Sequence, residues 1–411
     1  MSSTFTIGGK TVKDVEINSK QVKSIHDDTN DIMLWQKEEP NYLYFEDRSG
    51  AVNTLSITKT GSQNEWLALE YSTDKQTWTS WDFANTLTIP ANGKLYLRGN
   101  NNDYGFGHNA SNYHTFGCTG NYAVGGELWG IMSDSVATVP TRFCDRSFNG
   151  STTLVDASDL VFPDKVAGTV AFSSMFNGCT SLQDVPERIE TSIGSTTENS
   201  EFLQMFYNAP IGNFPLFANI THLNTSTFQR IVQSTAANNN TVEYVDLSSI
   251  ASLTASSLRQ AFYNCSSLEV VKIGISAWPD NVDSSASDYR GTDEWLGHVH
   301  STGVFCKNST LPVTRGTSNI PANWSIADLN GKLYAPVIAN NNGTITIAEA
   351  EGGASCQIYY TTDGTTPTTS STLYTQPFNV ESGVTVKAIA HYNGTRSDLT
   401  TDSDYSEVVV N

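Results

Sequence analysis

The feature that most restricts the fold is an octapeptide that the chain writes twice. Met175-Phe176-Asn177-Gly178-Cys179-Thr180-Ser181-Leu182 and Ala261-Phe262-Tyr263-Asn264-Cys265-Ser266-Ser267-Leu268 share an aromatic start, a small or turn-forming middle, a Cys and a closing Ser-Leu. Ser147-Phe148-Asn149-Gly150-Ser151-Thr152-Thr153-Leu154 and Met205-Phe206-Tyr207-Asn208-Ala209-Pro210 are degenerate copies, and Thr227-Phe228-Gln229 opens another. A unit this short cannot bury its own apolar face, so the pattern predicts units stacked on one another. Stacking would place Phe148, Phe176, Phe206, Phe228 and Phe262, with Cys179, Cys265, Leu154, Leu182 and Leu268, in continuous buried ladders. Each unit reads as a short helix carrying the Phe, a turn, and a strand such as Leu268-Glu269-Val270-Val271-Lys272-Ile273.

Only 16% of residues are charged, and Ser, Thr, Asn and Gly supply the polar surface. These favour turns and short strands over long helices, which argues against a helical bundle. Hydrophobic residues at 38% are enough for packed cores. Asp and Glu number 42 against 23 Lys and Arg, a formal charge of −19. Binding to phosphate backbones needs the opposite sign, so nucleic acid is an unsuited partner. No run of about 18 apolar residues suggests membrane insertion, and the first twenty residues lack the apolar centre of a signal peptide. The six cysteines (118, 144, 179, 265, 306 and 356) are far apart and contain no CxxC pair. They read as buried thiols rather than as a disulfide or zinc framework.

Four modules follow along the chain. Residues 1–40 read as a small β module ending at Glu38-Glu39-Pro40, too short to be stable by core burial alone. Residues 41–135 carry evenly spaced short strands and turns, among them Tyr42-Leu43-Tyr44-Phe45, Leu55-Ser56-Ile57 and Lys94-Leu95-Tyr96-Leu97-Arg98, the pattern of an antiparallel sandwich. Residues 136–330 hold the repeats, and residues 331–411 form a second sandwich with Gln357-Ile358-Tyr359-Tyr360-Thr361 and Val384-Thr385-Val386-Lys387-Ala388-Ile389-Ala390 as strands. The expected class is mainly β, with β-sandwich domains flanking a short α/β leucine-rich-repeat solenoid.

The paired Cys-containing units resemble BspA-like leucine-rich repeats. Trp295-Leu296-Gly297-His298-Val299-His300-Ser301-Thr302-Gly303-Val304-Phe305 and Ile320-Pro321-Ala322-Asn323-Trp324-Ser325-Ile326 are similar to the closing segment that follows such repeats. Gln357 to Pro367, with Tyr374 and Pro377-Phe378, resembles the immunoglobulin-like domain at the C-terminus of chitobiase-type glycosidases, an accessory without catalytic residues. The order of modules resembles fibre and head-decoration proteins of gut bacteriophages. That resemblance implies a virion protein whose N-terminal module docks on other virion proteins, whose outer domains meet a host glycan or protein, and which forms a homotrimer by analogy with fibres. The alternatives are a cell-surface adhesin of the BspA type, which would carry an export signal or lipoprotein Cys, and a glycan-active enzyme, which would need a catalytic domain of a few hundred residues.

No GxSxG elbow occurs, and the seven histidines form no recognisable constellation. Asp288, Asp293 and Glu294 precede Trp295 and could suggest a sugar site, but read better as a solvated loop beside a packing Trp. His298 and His300 would share a face if they lay on a strand and could then hold a transition metal; exposed histidines are the plainer reading. Asp27-Asp28-Thr29-Asn30-Asp31 lacks the Gly and Glu of a calcium loop. Asn109, Asn264 and Asn308 begin sequons that a chain rich in Asn, Ser and Thr acquires by chance. Tyr104, Tyr113, Trp278 and Trp295 could stack on sugars and read better as core residues. No catalytic, cofactor-binding, metal-ligating or ligand-binding residue is assigned, and the chain is expected not to be an enzyme.

Overall fold

A computed structural model describes residues 5–7, 10–18, 21–27, 32–36, 41–61, 67–102, 105–109, 111–133, 136, 139–166, 168–193, 199–235, 241–254, 256–279, 291–394, 399 and 401–411. The chain is mainly β and divides into two compact units, Met1–Tyr42 and Leu43–Asn411. In the first, β1 (Phe5–Ile7), β2 (Lys10–Asn18), β3 (Gln21–Asp27) and β4 (Ile32–Gln36) pair in chain order as an antiparallel meander.

The second unit begins with two facing sheets. Their strands are β5 (Leu43–Asp47), β6 (Asn53–Thr60), β7 (Leu69–Ser72), β8 (Thr79–Ser80), β9 (Leu87–Ile89), β10 (Lys94–Gly99), β11 (Gly107–Asn109), β12 (Asn112–Cys118) and β13 (Tyr122–Glu127). One sheet runs β13-β5-β10-β7-β8 and the other β11-β12-β6-β9. Alternation sends Leu43, Phe45, Leu55, Ile89, Leu95, Leu97 and Phe116 into a buried core. The Asp47 carboxylate closes one end. It accepts the N–H groups of Ser49, Gly50 and Asn92 at 2.9–3.0 Å and the Ser49 hydroxyl at 2.5 Å.

β13 changes the architecture. It pairs antiparallel with β5 but parallel with β14 (Leu154–Asp156) and β15 (Leu160–Val161), the first strands of the repeat region. Short parallel pairs continue the stack: β16 (Lys165–Val166) with β18 (Ser192–Ile193), β17 (Arg188–Ile189) with β19 (Leu216–Phe217), and β20 (His222–Leu223) with β22 (Ser252–Leu253). It ends in a four-stranded parallel sheet of β21 (Tyr244–Leu247), β23 (Val270–Ile273), β24 (Val304–Lys307) and β25 (Ser325–Asp328).

The short helix expected in each unit does not form. Segments 141–150, 169–178, 199–208, 225–234, 256–264 and 291–298 are instead chains of overlapping tight turns, here called coils 1 to 6. In coil 1 the N–H groups of Asp145, Ser147, Asn149 and Ser151 each donate to the carbonyl three residues back. Those of Arg142, Cys144, Arg146, Phe148 and Gly150 leave the coil and donate to carbonyls of Thr169, Ala171, Ser173, Met175 and Asn177 in coil 2, at 2.7–3.0 Å. Every second donor thus closes a turn and the others join coils, which leaves no i→i−4 bond for an α-helix. The geometry requires a left-handed residue at every fourth position. Arg142, Arg146 and Gly150 have φ near +61°, +62° and +73°, and Ser200, Gln204 and Asn208 near +62°, +54° and +57°.

Within a coil, each left-handed residue other than the one that closes it is followed by two that turn inward. Phe148, Phe176, Phe206, Val232 and Phe262 make one buried row; Cys144, Phe172, Phe202, Phe228 and Leu258 make the next. Phe228 therefore sits one turn earlier than the sequence pattern suggested, in register with Phe202 rather than Phe206. Rings stack face to face between coils: Phe148 on Phe176 at 5.5 Å and 11°, and Phe176 on Phe206 at 5.6 Å and 4°. Val232 breaks the aromatic row, and Phe214 enters behind it, edge-on to Phe262 at 5.1 Å.

The C-terminal module is a sandwich of two sheets. β26 (Val337–Asn341), β27 (Thr344–Ala348) and β30 (Phe378–Asn379) face β28 (Gln357–Thr361), β29 (Thr372–Leu373), β31 (Thr385–His391) and β32 (Ser406–Val409) across Ile345, Ile347, Ile358, Val386 and Val410. Its Tyr392 and Leu399 pack with Val270, Val304, Cys306 and Ala327 on the outer face of the four-stranded sheet, so that sheet is buried on both sides.

Two measurements check this account. Phe176→Ala removes a ring stacked on two neighbours and is expected to cost about 3–5 kcal/mol in urea unfolding; a loss within 1 kcal/mol would show that the rows do not carry the stack. The second concerns Asp47, whose carboxyl is lowered to about 2, chiefly by the Ser49 hydroxyl, with burial opposing the shift and the backbone N–H groups of Asn92, Ser49 and Gly50 adding to it. A carboxyl lowered on folding stabilises above its unfolded value of about 4 and loses that contribution as pH falls through about 2. The melting-temperature gap between the parent and Asp47→Ala should be constant above pH 5 and close between pH 4 and 2.

Candidate binding cleft

The junction between sandwich and coils creates a cleft. After β13 the chain makes one 3-10 turn, Leu128–Ile131, which buries Leu128 and Ile131 and leaves Trp129 half-buried. The Trp129 ring leans on Phe143 of coil 1 at 5.6 Å. After β15, Phe162 packs edge-on against Phe172 of coil 2 at 5.0 Å. Between them lies a cleft of about 360 Å³ walled by Trp129, Val136, Val139, Val161, Phe162 and Pro163, with the exposed carboxylates of Glu127 and Asp164 at its margin. Val161 keeps 44% of its surface exposed there. An apolar floor with a few polar groups at the rim suits a small organic face bearing hydroxyls, and a cleft of this size is at the lower end for such ligands. A second hollow of about 330 Å³ lies beside Phe214, Glu243 and Tyr244.

Elsewhere several acidic and thiol side chains take part in structural contacts. Asp145 in coil 1 is buried between Arg142, at 2.5 Å, and Arg146, at 3.9 Å; burial raises its carboxyl and the two guanidinium groups oppose that rise. Glu201 accepts the Thr227 hydroxyl across coils at 2.8 Å. At the seam with the C-terminal module Glu349 accepts the Ser325 hydroxyl and, at 2.6 Å, the Cys356 N–H. Burial raises Glu349 and pushes the Cys356 thiol up to about 12. Arg315 ties the same seam by donating to the carbonyls of Pro321, Trp324 and Glu351 at 2.6–3.1 Å.

The ten repeat residues singled out in the sequence, Phe148, Leu154, Phe176, Cys179, Leu182, Phe206, Phe228, Phe262, Cys265 and Leu268, are all fully buried in one core. Cys179 donates its thiol to the Phe148 carbonyl at 3.0 Å. The other suggestive residues disperse. His298 is left-handed at the end of coil 6, with its ring edge-on to Tyr263, and 299–300 are not a strand, so the shared face supposed for His298 and His300 is not formed. His300 Nδ1 instead meets the Thr302 carbonyl at 2.8 Å and Glu269 at 3.7 Å. Among the described residues no three His, Cys, Asp or Glu side chains converge as a metal would need. Asp293 pairs with Arg259 at 3.6 Å, and Glu294 accepts from Gln260 at 2.9 Å. Trp295 is buried and donates to the Asn319 carbonyl; Trp278 is partly buried and donates to Pro312. Tyr113 lies under the Arg146 guanidinium at 4.8 Å.

The Asn109 and Asn308 side chains each accept the N–H two residues on. Asn264 is left-handed and donates to the Ser234 carbonyl. Tyr104, Asp288 and residues 28–31 lie outside the described residues. Sequence reasoning passed over Trp129, Phe162, Glu127 and Asp164. The available signal was the run Gly125-Gly126-Glu127-Leu128-Trp129-Gly130, an aromatic set among glycines where a strand should simply have ended.

The thiols give a direct check. Cys144, Cys179, Cys265 and Cys306 are buried, and burial pushes Cys179 up to about 12 and Cys144 well above its ordinary range. In native protein at pH 7.5 a thiol reagent is expected to leave these four unmodified, and to label all six cysteines after denaturation. Mass-spectrometric detection of rapid native labelling at any of the four would contradict the buried rows.

Residues 344–404 match the family model described as Fn3 associated, which points to an immunoglobulin/fibronectin-like associated domain at the C-terminus. Neither a search of curated proteins nor one of solved structures returns a match to the chain.

Proposed function

We propose that this chain is a non-catalytic structural and attachment protein of a bacteriophage particle, a fibre or head decoration. The N-terminal meander docks on other virion proteins, and the second unit offers its surfaces to a host glycan or protein. In this reading the coils are BspA-like leucine-rich repeats that have traded their helices for turns, and the C-terminal module is of the chitobiase accessory type. Copies act together, as a homotrimer or an array, so that shallow contacts add into firm attachment.

The observation that carries the reading is the continuity of one core from Leu43 to Ile326, with a further apolar cluster joining it to the C-terminal module. Asp145, Glu201, Glu349 and Cys356, groups of kinds that could serve a reaction, are engaged in holding that continuity, which supports the non-catalytic reading. The chain is then a spacer of fixed geometry, and what it does lies on its outer faces. Fold alone does not decide this, so the support is the commitment of these particular side chains together with the module order.

Labelled full-length protein is expected to bind intact gut Bacteroidales cells saturably, and to do so equally after deletion of residues 1–40. If no strain in a broad panel is bound, even by a multivalent form, attachment fails and an architectural role within the particle takes its place.

A further inference from the structure

The outward sides of coils 3 to 5 carry aligned aromatic and amide side chains. Between each inward pair and the next, two side chains face out, and the cross-coil bonds place equivalents in straight rows. One row carries Tyr207, Gln233 and Tyr263 on three successive coils; the neighbouring row carries Gln204, Arg230 and Gln260. All six are partly exposed. The Tyr263 ring lies across Gly297 of coil 6, where a Cβ would stand 2.6 Å from it, and is held edge-on by His298 at 5.0 Å. The two tyrosines are two coil spacings apart, ~9.5 Å at the usual separation of hydrogen-bonded chains.

Between them the polar groups are pre-set. Arg230 Nε donates to Gln260 Oε1 at 2.9 Å, and Gln260 Nε2 donates to Glu294 Oε2 at 2.9 Å, a chain that fixes both amide and guanidinium. Gln233 Oε1 is shielded from water yet has no hydrogen-bond partner among the described residues. Charge is balanced, Arg230 and Arg259 against Asp293 and Glu294, in a chain of net −19. A polyanion meets no surplus of positive charge here, and a polycation no surplus of negative.

We infer that this face, centred on Gln233 between Tyr207 and Tyr263, binds a neutral oligosaccharide. The C–H face of a pyranose ring packs on each tyrosine, and ring hydroxyls accept from the Arg230 guanidinium. The inference rests on the attachment reading, naming the class of receptor and a face separate from the cleft at Trp129.

The test uses the full chain on an immobilised panel of neutral gluco-, manno-, galacto- and xylo-hexaoses, with heparin and polysialic acid as anionic arms. Binding to at least one neutral hexaose, and to neither polyanion, is expected. Tyr207→Ala and Tyr263→Ala should each weaken it at least about tenfold, the scale of one lost aromatic contact. Tyr207→Phe should keep it within about threefold, with melting temperature monitored throughout; this variant keeps the inference testable should an alanine variant unfold. No binding to any neutral hexaose, preference for a polyanion, or undiminished binding by folded alanine variants would overturn it. The same variants on whole cells separate the two claims. Cell binding that survives Tyr207→Ala and Tyr263→Ala sinks this face and leaves attachment standing, whereas wild-type protein that binds no cells sinks attachment itself.

Discussion

Everything in the second unit depends on one backbone arrangement, in which alternate N–H groups close turns within a coil and the rest bond to the next coil. Coils 1 to 3 each pass five such bonds onward, from Arg142 to Gly150, Val170 to Gly178, and Ser200 to Asn208. Each is worth about 0.5–1.5 kcal/mol net. Against them stand non-glycine residues held left-handed, at about 1–2 kcal/mol each. The arrangement pays only because the inward pairs are also buried, so ladder and core are not separable contributions. That is why Phe176, which touches Phe148 on one side and Phe206 on the other, matters more than a single buried ring would.

A ladder of this kind must be ended. At one end the carbonyls of Phe143 and Ser147 are met by the N–H groups of Phe106 and Phe116, and that of Thr153 by Tyr122, so the sandwich serves as the first rung. Phe45 and Phe116 also reach Phe148, at 6.2 and 5.7 Å, continuing the aromatic row into the sandwich. At the other end Leu296 donates to Thr317, β25 completes the sheet, and the C-terminal module covers its outer face. Neither flanking module is an appendage; each satisfies an edge that would otherwise invite pairing with another chain.

The buried rows were legible in the sequence because inward positions tolerate only apolar or small residues, and Phe, Cys and Leu recur there. The coil conformation was not, for a physical reason. A turn that repeats every four residues spaces its apolar pairs almost as a helix of 3.6 does, and Phe172 with Phe176, or Phe202 with Phe206, fits both. The same near-coincidence displaced Phe228 by one turn, since Phe228 and Val232 repeat the spacing of Phe202 and Phe206. The discriminating signal is the left-handed position that ends four of the six coils, where Gly150, Gly178, Asn208 and Asn264 stand. Glycine and asparagine are the residues that adopt this conformation most readily. The cleft was illegible because its walls come from different modules, and Phe162 and Val161 read locally as ordinary strand residues.

The remaining left-handed positions explain how the outer face acquires its chemistry. A free loop would fill them with Gly or Asn, but here the cross-coil bonds hold the backbone whatever the side chain, so Arg146, Gln204, Arg230, Gln260 and Glu294 are accommodated. Long polar side chains then stand in register one coil apart and bond to one another, as Arg230, Gln260 and Glu294 do. Pre-set side chains lose little freedom when a ligand arrives, which favours recognition by contacts that are individually weak. The rigidity of the ladder is therefore what keeps this polar face ordered.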